Sequence, residues 1–311
     1  MGKLIYLDNA ATTSLNENVL KKMLPYLKEN YANASSIYSF GQKSRCAIED
    51  AREEIANILG ANPSEIYFTS CGSESDNTAI KGIARAYKSK GNHIITSKIE
   101  HPAVLETCRS LEKEGFKISY VDVDESGIVK LDELEKLINK NTILISIMFA
   151  NNEIGTIQPV AEIGKIAHEK GILFHTDAVQ AYGHIPINVD EMNIDLLSAS
   201  GHKFNGPKGV GIMYIRKGVK IRSFIHGGSQ ERGRRAGTYN VPGIAGLGLA
   251  TKMIYNDLDM KVALMRELKD YFIEQAGKIE NTTVHGLKDE GSAPHIISLG
   301  IAGIRSEVLL H

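Results

Sequence analysis

Ile143-Leu144-Ile145-Ser146-Ile147-Met148-Phe149 is an almost unbroken apolar run, and the patterns on either side decide what it belongs to. Val160, Ile163 and Ile166 follow at helical spacing, and Ile172-Leu173-Phe174 is a second short apolar run. Strand, helix and strand in that order predict a parallel pair covered by helices on both faces. The rhythm extends in both directions. Upstream, Ile66–Thr69, His93–Thr96 and Ile118–Val121 read as strands. Between them lie helices over 41–59 (Ile48, Ala51, Ile55, Ile58), from about Ser75, through Val104, Leu105, Cys108 and Leu111, and over Leu131–Ile138. Downstream, Leu196–Ala199 and Val210–Ile215 are two more strands. The whole predicts an α/β fold with a mostly parallel sheet.

Near residue 257 the pattern changes. Leu258, Val262, Met265, Leu268 and Phe272 predict one long helix over 258–279, followed by a strand at Ile296–Leu299. This is the expected start of a second, smaller α+β domain. Ser306 reads as the N-cap of a helix that stops at His311 after little more than a turn, so the sequence is read as ending inside that domain.

Composition narrows the function. With 36 Lys+Arg against 37 Asp+Glu, the net charge is −1, which argues against a general nucleic-acid binder or a polybasic membrane binder. No apolar run approaches the roughly 20 residues of a membrane span. Cys46, Cys71 and Cys108 are widely spaced, without a CxxC pair, and the N-terminus lacks the apolar core of a signal peptide. A reducing, cytoplasmic setting is expected. No metal site is expected.

The chemistry gathers at strand ends. Lys203, in Ser198-Ala199-Ser200-Gly201-His202-Lys203, lies in a Gly-rich turn where an amine can form a Schiff base with a cofactor aldehyde, while Ser200 and His202 suit a phosphate. Alone, Lys203 reads equally well as a solvated loop lysine. Asp177, in His175-Thr176-Asp177-Ala178-Val179-Gln180, suits a pyridine nitrogen or caps the next helix, and Gln180 suits a ring phenolate. Gly72 and Ser73 lie where a strand joins the next helix: Gly72 permits close backbone approach, and the Ser73 hydroxyl and the helix N-terminus suit a phosphate or form a plain capped start; Cys71 before them reads as a small buried residue rather than a nucleophile. His101, before Pro102, suits ring stacking or proton transfer, although a lone His is more often structural. Asn152 suits a cofactor or carboxylate contact, or a turn. The basic loop Gln230–Thr238 reads alone as solvated. Taken together, these are the groups that pyridoxal phosphate needs.

The motifs Tyr6–Thr13, Thr69–Asn77, Glu100–Val104, Asn151–Gly155, His175–Gln180, Ser200–Lys203, Gly227–Thr238 and Arg305-Ser306-Glu307 resemble, in the same order, the NifS/IscS cysteine desulfurases of the class V aminotransferases. The resemblance implies the aspartate aminotransferase-like fold of pyridoxal-phosphate transferases. It implies a large domain over 15–257, with 1–14 and 258–311 in an incomplete small one. It also implies desulfuration of L-cysteine to L-alanine, with sulfur passed on as a persulfide to an iron–sulfur scaffold or a thiolation protein, in a homodimer. Lys203 would carry the Schiff base, Asp177 would pair with the pyridinium, Gln180 would contact the phenolate, and His101 would stack and handle protons. Gly72, Ser73, Ser200 and His202 would bind phosphate, Thr238 would reach the phosphate of the neighbouring subunit, and Asn152 would lie beside cofactor and substrate. Tyr38 stands where the family usually has His. The family's catalytic Cys and carboxylate-binding Arg would fall beyond His311, so this chain is expected not to form a protein persulfide at a useful rate. The alternatives are another class V aminotransferase or selenocysteine lyase, or a cofactor-holding scaffold without turnover.

Overall fold

A computed structural model of the chain describes residues 5–309. In chain order its elements are α1 (Glu17–Lys28), α2 (Ser39–Leu59), β1 (Ile66–Thr69), α3 (Gly72–Ala86), β2 (His93–Ser97), α4 (Pro102–Lys113), β3 (Lys117–Val121), α5 (Leu131–Leu137) and β4 (Thr142–Ser146). They continue with α6 (Val160–Glu169), β5 (Leu173–Asp177), β6 (Leu196–Ser200), β7 (Gly211–Ile215), α7 (Val241–Asn256), α8 (Leu258–Ala276), β8 (Thr282–His285), β9 (Ser298–Ile301) and α9 (Ser306–Leu309). Seven strands form one sheet in the order β1-β7-β6-β5-β4-β2-β3, while β8 and β9 form a separate antiparallel pair. Within the large sheet only β7 runs against its neighbours, so the sheet is mostly parallel, as the apolar runs imply.

The strands are apolar throughout because both faces are covered. Successive side chains of a strand point to opposite faces. Accordingly Ile94, Leu144 and Met213 pack with Ile80 and Ile83 of α3 and Val104 and Leu111 of α4. Their neighbours Ile95, Ile145 and Ile212 pack on the other side with Ile48 and Ile55 of α2, Ile163 of α6 and Leu247 of α7.

Several boundaries differ from the sequence expectation. α3 begins at Gly72, not near Ser75: Cys71 is fully extended as its N-cap, and the Glu74 carboxylate accepts the Ser70 N–H just upstream. β4 ends at Ser146 rather than Phe149, although Ile147 and Phe149 still donate to the carbonyls of His175 and Asp177 as the chain bends out of the ladder. β5 runs on to Asp177, α8 stops at Ala276, and β9 begins at Ser298. Ser306 is the first helical residue rather than the N-cap; Leu310 and His311 of that motif lie outside the described residues.

Three elements have no counterpart in the sequence reading: α1, α7 and β8. α7 carries Gly243, Gly246 and Gly248, which lower helix propensity. Two of these glycines serve packing. A Cβ on Gly248 would stand 2.6 Å from the Ala51 Cβ, and one on Gly246 would stand 2.8 Å from the Met23 Cγ. The close approach of α7 to α2 and α1 therefore depends on their absence.

Candidate functional site

Strand β5 delivers Asp177, β6 delivers Ser200, and the loop after β1 delivers Cys71 and Gly72 to one cavity of ≈ 460 Å³. His101, Asn152, Gln180, His202 and Lys203 line it as well. This is the crevice beyond the carboxyl ends of parallel strands, where ligands of such sheets bind.

Lys203 closes the single turn Gly201–Lys203 that follows β6. Its Nζ donates to the carbonyls of Ala10 at 2.6 Å and Ala11 at 3.0 Å, so the N-terminal arm walls this side of the cavity. Burial holds the ammonium below the ordinary lysine range, opposed by the charges of Asp177, Asp8 and Glu153. Ser200 Oγ is buried and has no protein partner. His202, with Nδ1 3.1 Å from Thr12 Oγ1, is lowered to about 4 by burial and by the charges of Lys203 and Lys208. Its imidazole is therefore neutral at pH 7 and can offer one N–H to an anion.

Gly72 and Ser73 start α3, whose free N–H groups face the cavity end. A Cβ on Gly72 would stand 2.6 Å from Val179 Cγ2, so glycine lets the α3 start pack beside the Asp177–Gln180 turn. Glu74 belongs elsewhere: Arg235 grips its carboxylate at 2.7 and 3.1 Å.

Asp177 is buried, and its Oδ1 accepts the Val179 N–H at 3.0 Å. Asp76, also buried, has an Oδ1 without a hydrogen-bond partner, 3.7 Å from His175 Nε2. Burial raises both carboxyl groups, Asp76 further, and the nearness of Asp177 adds to its rise. The Val179 N–H and the charges of His101 and Lys203 pull Asp177 back down. Burial and the nearness of Asp177 thus favour the neutral form of Asp76 more strongly than that of Asp177. His175, buried between Ser146 Oγ (2.8 Å) and Ser198 Oγ (3.0 Å), is lowered by burial to about 3 and stays neutral. Glu100 is raised to about 8, mainly by burial. The sequence reading missed Asp76, Glu100 and His175 as members of this network. All three sit inside motifs it quoted, with no pattern to mark them as buried.

His101 is the N-cap of α4, its Nδ1 accepting the Ala103 N–H at 3.1 Å, so a cavity role leaves Nε2 for chemistry. The structural expectation for it holds, and the ring also lines the cavity. Gln180 Nε2 donates to Ala10 O at 2.9 Å. Asn152 Nδ2 donates to Glu153 Oε1 at 2.8 Å. Cys71 is half-buried in the cavity wall rather than fully buried, because its extended N-cap backbone holds it at the rim of the phosphate loop. Thr238 is not brought to this cavity: it lines a separate cleft with Arg235 and Tyr239.

The class-V aminotransferase model matches residues 5–311. The chain belongs to the class-V aminotransferase family. Among curated class-V relatives, a cysteine desulfurase IscS of Dictyoglomus turgidum is 54% identical over 313 residues, covering 100% of this chain and 79% of its own length. One from Methanosarcina thermophila is 58% identical over 284 residues, covering 91% of this chain and 70% of its own length. Among solved structures, a NifS-like protein superposes with a TM-score of 0.96 at 44% identity, over 99% of this chain and 84% of its own. A structure of SspA in complex with cysteine gives 0.78 at 47% identity, over 80% and 72%.

The class-V family works with pyridoxal phosphate, and the cavity fits that group. Its buried Ser200 Oγ and Asp76 Oδ1 lack protein partners, Gly72 leaves a cradle at a helix start, and a lysine amine stands near a buried carboxylate. Among the described residues no helix is long and apolar enough to cross a membrane.

Proposed function

We propose that this chain is a cysteine desulfurase that removes the sulfur of L-cysteine and leaves L-alanine, with pyridoxal phosphate held in the cavity. The observation that carries this reading is the meeting of Lys203, Asp177, Gln180 and the α3 start in one crevice. Bound there, the cofactor supplies an aldehyde that condenses with amines and a ring that accepts electrons from the substrate Cα. Lys203 holds the aldehyde. Its partly buried amine, biased toward the neutral form, would also serve as the base that moves the substrate Cα proton. Asp177 keeps the ring nitrogen protonated, Gln180 donates to the ring oxygen, and His101 stacks on the ring and handles protons. Gly72, Ser73, Ser200 and His202 hold the phosphate, and Asn152 lies beside the substrate.

The sulfur leaves when a thiolate attacks the substrate sulfur. An S–S bond forms as the C–S bond breaks, and the electron pair left on carbon takes a proton to give alanine. We assign the attacking thiolate to none of the three cysteines. Burial pushes the Cys108 thiol up to about 12, Cys46 sits on α2 and does not line the cavity, and Cys71 is fixed at the N-cap of α3. A homodimer in which Thr238 reaches the second copy's phosphate, a cytoplasmic setting and a sulfur-accepting scaffold or thiolation protein complete the reading, as does a division into a large domain over 15–257 and a small one from 1–14 and 258–311.

The test is incubation of the cofactor-loaded chain with L-cysteine and an added thiol in deuterated water. Deuterium at Cα, with alanine and sulfide in equal amounts, is expected. Keto acid instead of alanine would point to transamination. Bound cofactor with no Cα exchange would leave a scaffold.

A further inference from the structure

Gln180 stands at a junction of three segments far apart in the chain. Its Nε2 donates to Ala10 O at 2.9 Å, and its Oε1 lies 3.2 Å from His295 Nε2. Ala10 O can only accept, so the amide nitrogen must face it. The amide oxygen therefore faces His295, and His295 must donate to it from Nε2. This leaves His295 Nδ1 bare, and that atom is indeed buried without a partner.

The ring is held in this pose from its other side. His295 stacks on His184, with centroids 3.7 Å apart and planes at 18°. His184 follows Gln180 in the same turn, its N–H donating to Ala181 O at 2.9 Å. The groups that bear on His295 are His184, Lys269 and Lys203, and together with burial they hold it well below the ordinary histidine range. Its neutral form is thereby favoured.

The segment carrying His295 is fastened independently of this bond. Lys269 Nζ donates to Ser292 Oγ at 2.6 Å and to Ala293 O at 2.9 Å. Ala293 N donates to Gly155 O at 2.7 Å. Removing the His295 donor therefore releases Oε1 of the Gln180 amide without detaching the segment.

We propose that His295 is a positioning residue: its Nε2–H fixes Oε1 of Gln180, so that the amide presents its remaining N–H to the cofactor cavity. This rests on the reading that the cavity takes pyridoxal phosphate with its ring oxygen toward Gln180. A donor at that oxygen stabilises its ionised form, so loss of the donor raises the pH at which the bound cofactor's visible band titrates.

The experiment compares that titration in the full chain loaded with pyridoxal phosphate. His295→Phe keeps the stack on His184 and removes the donor; it is expected to move the midpoint up by about one pH unit. Gln180→Leu is expected to move it similarly, and His295→Phe added to Gln180→Leu to move it no further. A second readout needs no cofactor: nitrogen NMR of the imidazoles in the cofactor-free chain is expected to show His295 as the neutral Nε2–H tautomer. An unmoved midpoint in His295→Phe, an additive shift in the double variant, or an Nδ1–H tautomer would each overturn the inference. Absence of a visible band in the unmodified chain would instead remove the functional reading and this inference with it.

Discussion

Asp76 and Asp177 are both buried carboxyl groups, yet their surroundings separate them. Asp177 has a backbone N–H and lies near Lys203 and His101, whereas Asp76 has an orphaned oxygen, the Asp177 carboxyl beside it and a neutral imidazole. Asp177→Asn removes the charge that balances a protonated ring nitrogen. It is expected to slow Cα–H exchange on the order of 10²–10³-fold, the usual effect of losing one preorganised electrostatic partner. Asp76→Asn mimics the neutral form that burial favours and is expected to leave exchange near the wild-type rate. Deuterium incorporation into cysteine measures both. Glu100 gives a pH test of the same buried layer. Between 4.5 and about 8 the folded chain keeps a proton on Glu100 that the unfolded chain has released, so this group's contribution to stability falls as pH rises through that window. Glu100→Gln mimics the protonated form. In urea unfolding, the variant's stability relative to wild type is expected to rise between about pH 5 and pH 8, by at most about 1.4 kcal/mol per pH unit. A difference that does not change with pH would mean that Glu100 is ionised in the fold.

At the scale of elements, the start of α3 and the turn after β5 are set against each other by one missing methyl group. Gly72→Ala would push on Val179, the residue just before Gln180 in the wall of the cavity. Cofactor affinity is expected to fall about tenfold, equal to about 1.4 kcal/mol, and to recover when Val179→Ala is added, as read by equilibrium dialysis of pyridoxal phosphate. The loop after β7 is pinned differently. Glu231 accepts Arg52 at 3.0 and 2.8 Å and the Phe68 N–H of β1 at 2.8 Å, and both partners of the ion pair are buried. This anchor holds Glu231 and Arg232 at φ 45° and 55°, left-handed values that side-chain-bearing residues rarely adopt. Glu231→Ala leaves the buried Arg52 cation with only the half-exposed Glu49 carboxylate and the Ile66 carbonyl, and is expected to cost up to about 3–5 kcal/mol of stability, read from the urea midpoint. The sequence shows neither side of this pair, because 179 residues separate the two.

Across the whole molecule, legibility followed locality. The parallel strands were readable because burial on both faces demands uninterrupted apolar runs, as at Ile143–Ile147. α7 was not, because the glycines that let α2 and α1 approach it also weaken the helical signal. Lys203, Asp177, Gln180, Gly72 and His101 were readable because each stands in a short motif at a strand end. The Ala10 and Ala11 carbonyls, the burial of Asp76 beside Asp177 and the reach of His295 to Gln180 were not, because they arise only when distant segments meet. The account's central claim is that this convergence holds pyridoxal phosphate through the amine of Lys203. Borohydride reduction of the cofactor-loaded chain, followed by peptide mapping, tests it most directly. The account predicts a single reduced pyridoxyl adduct on Lys203, absent from Lys203→Ala. An adduct on another lysine, or none on a folded chain, would contradict it.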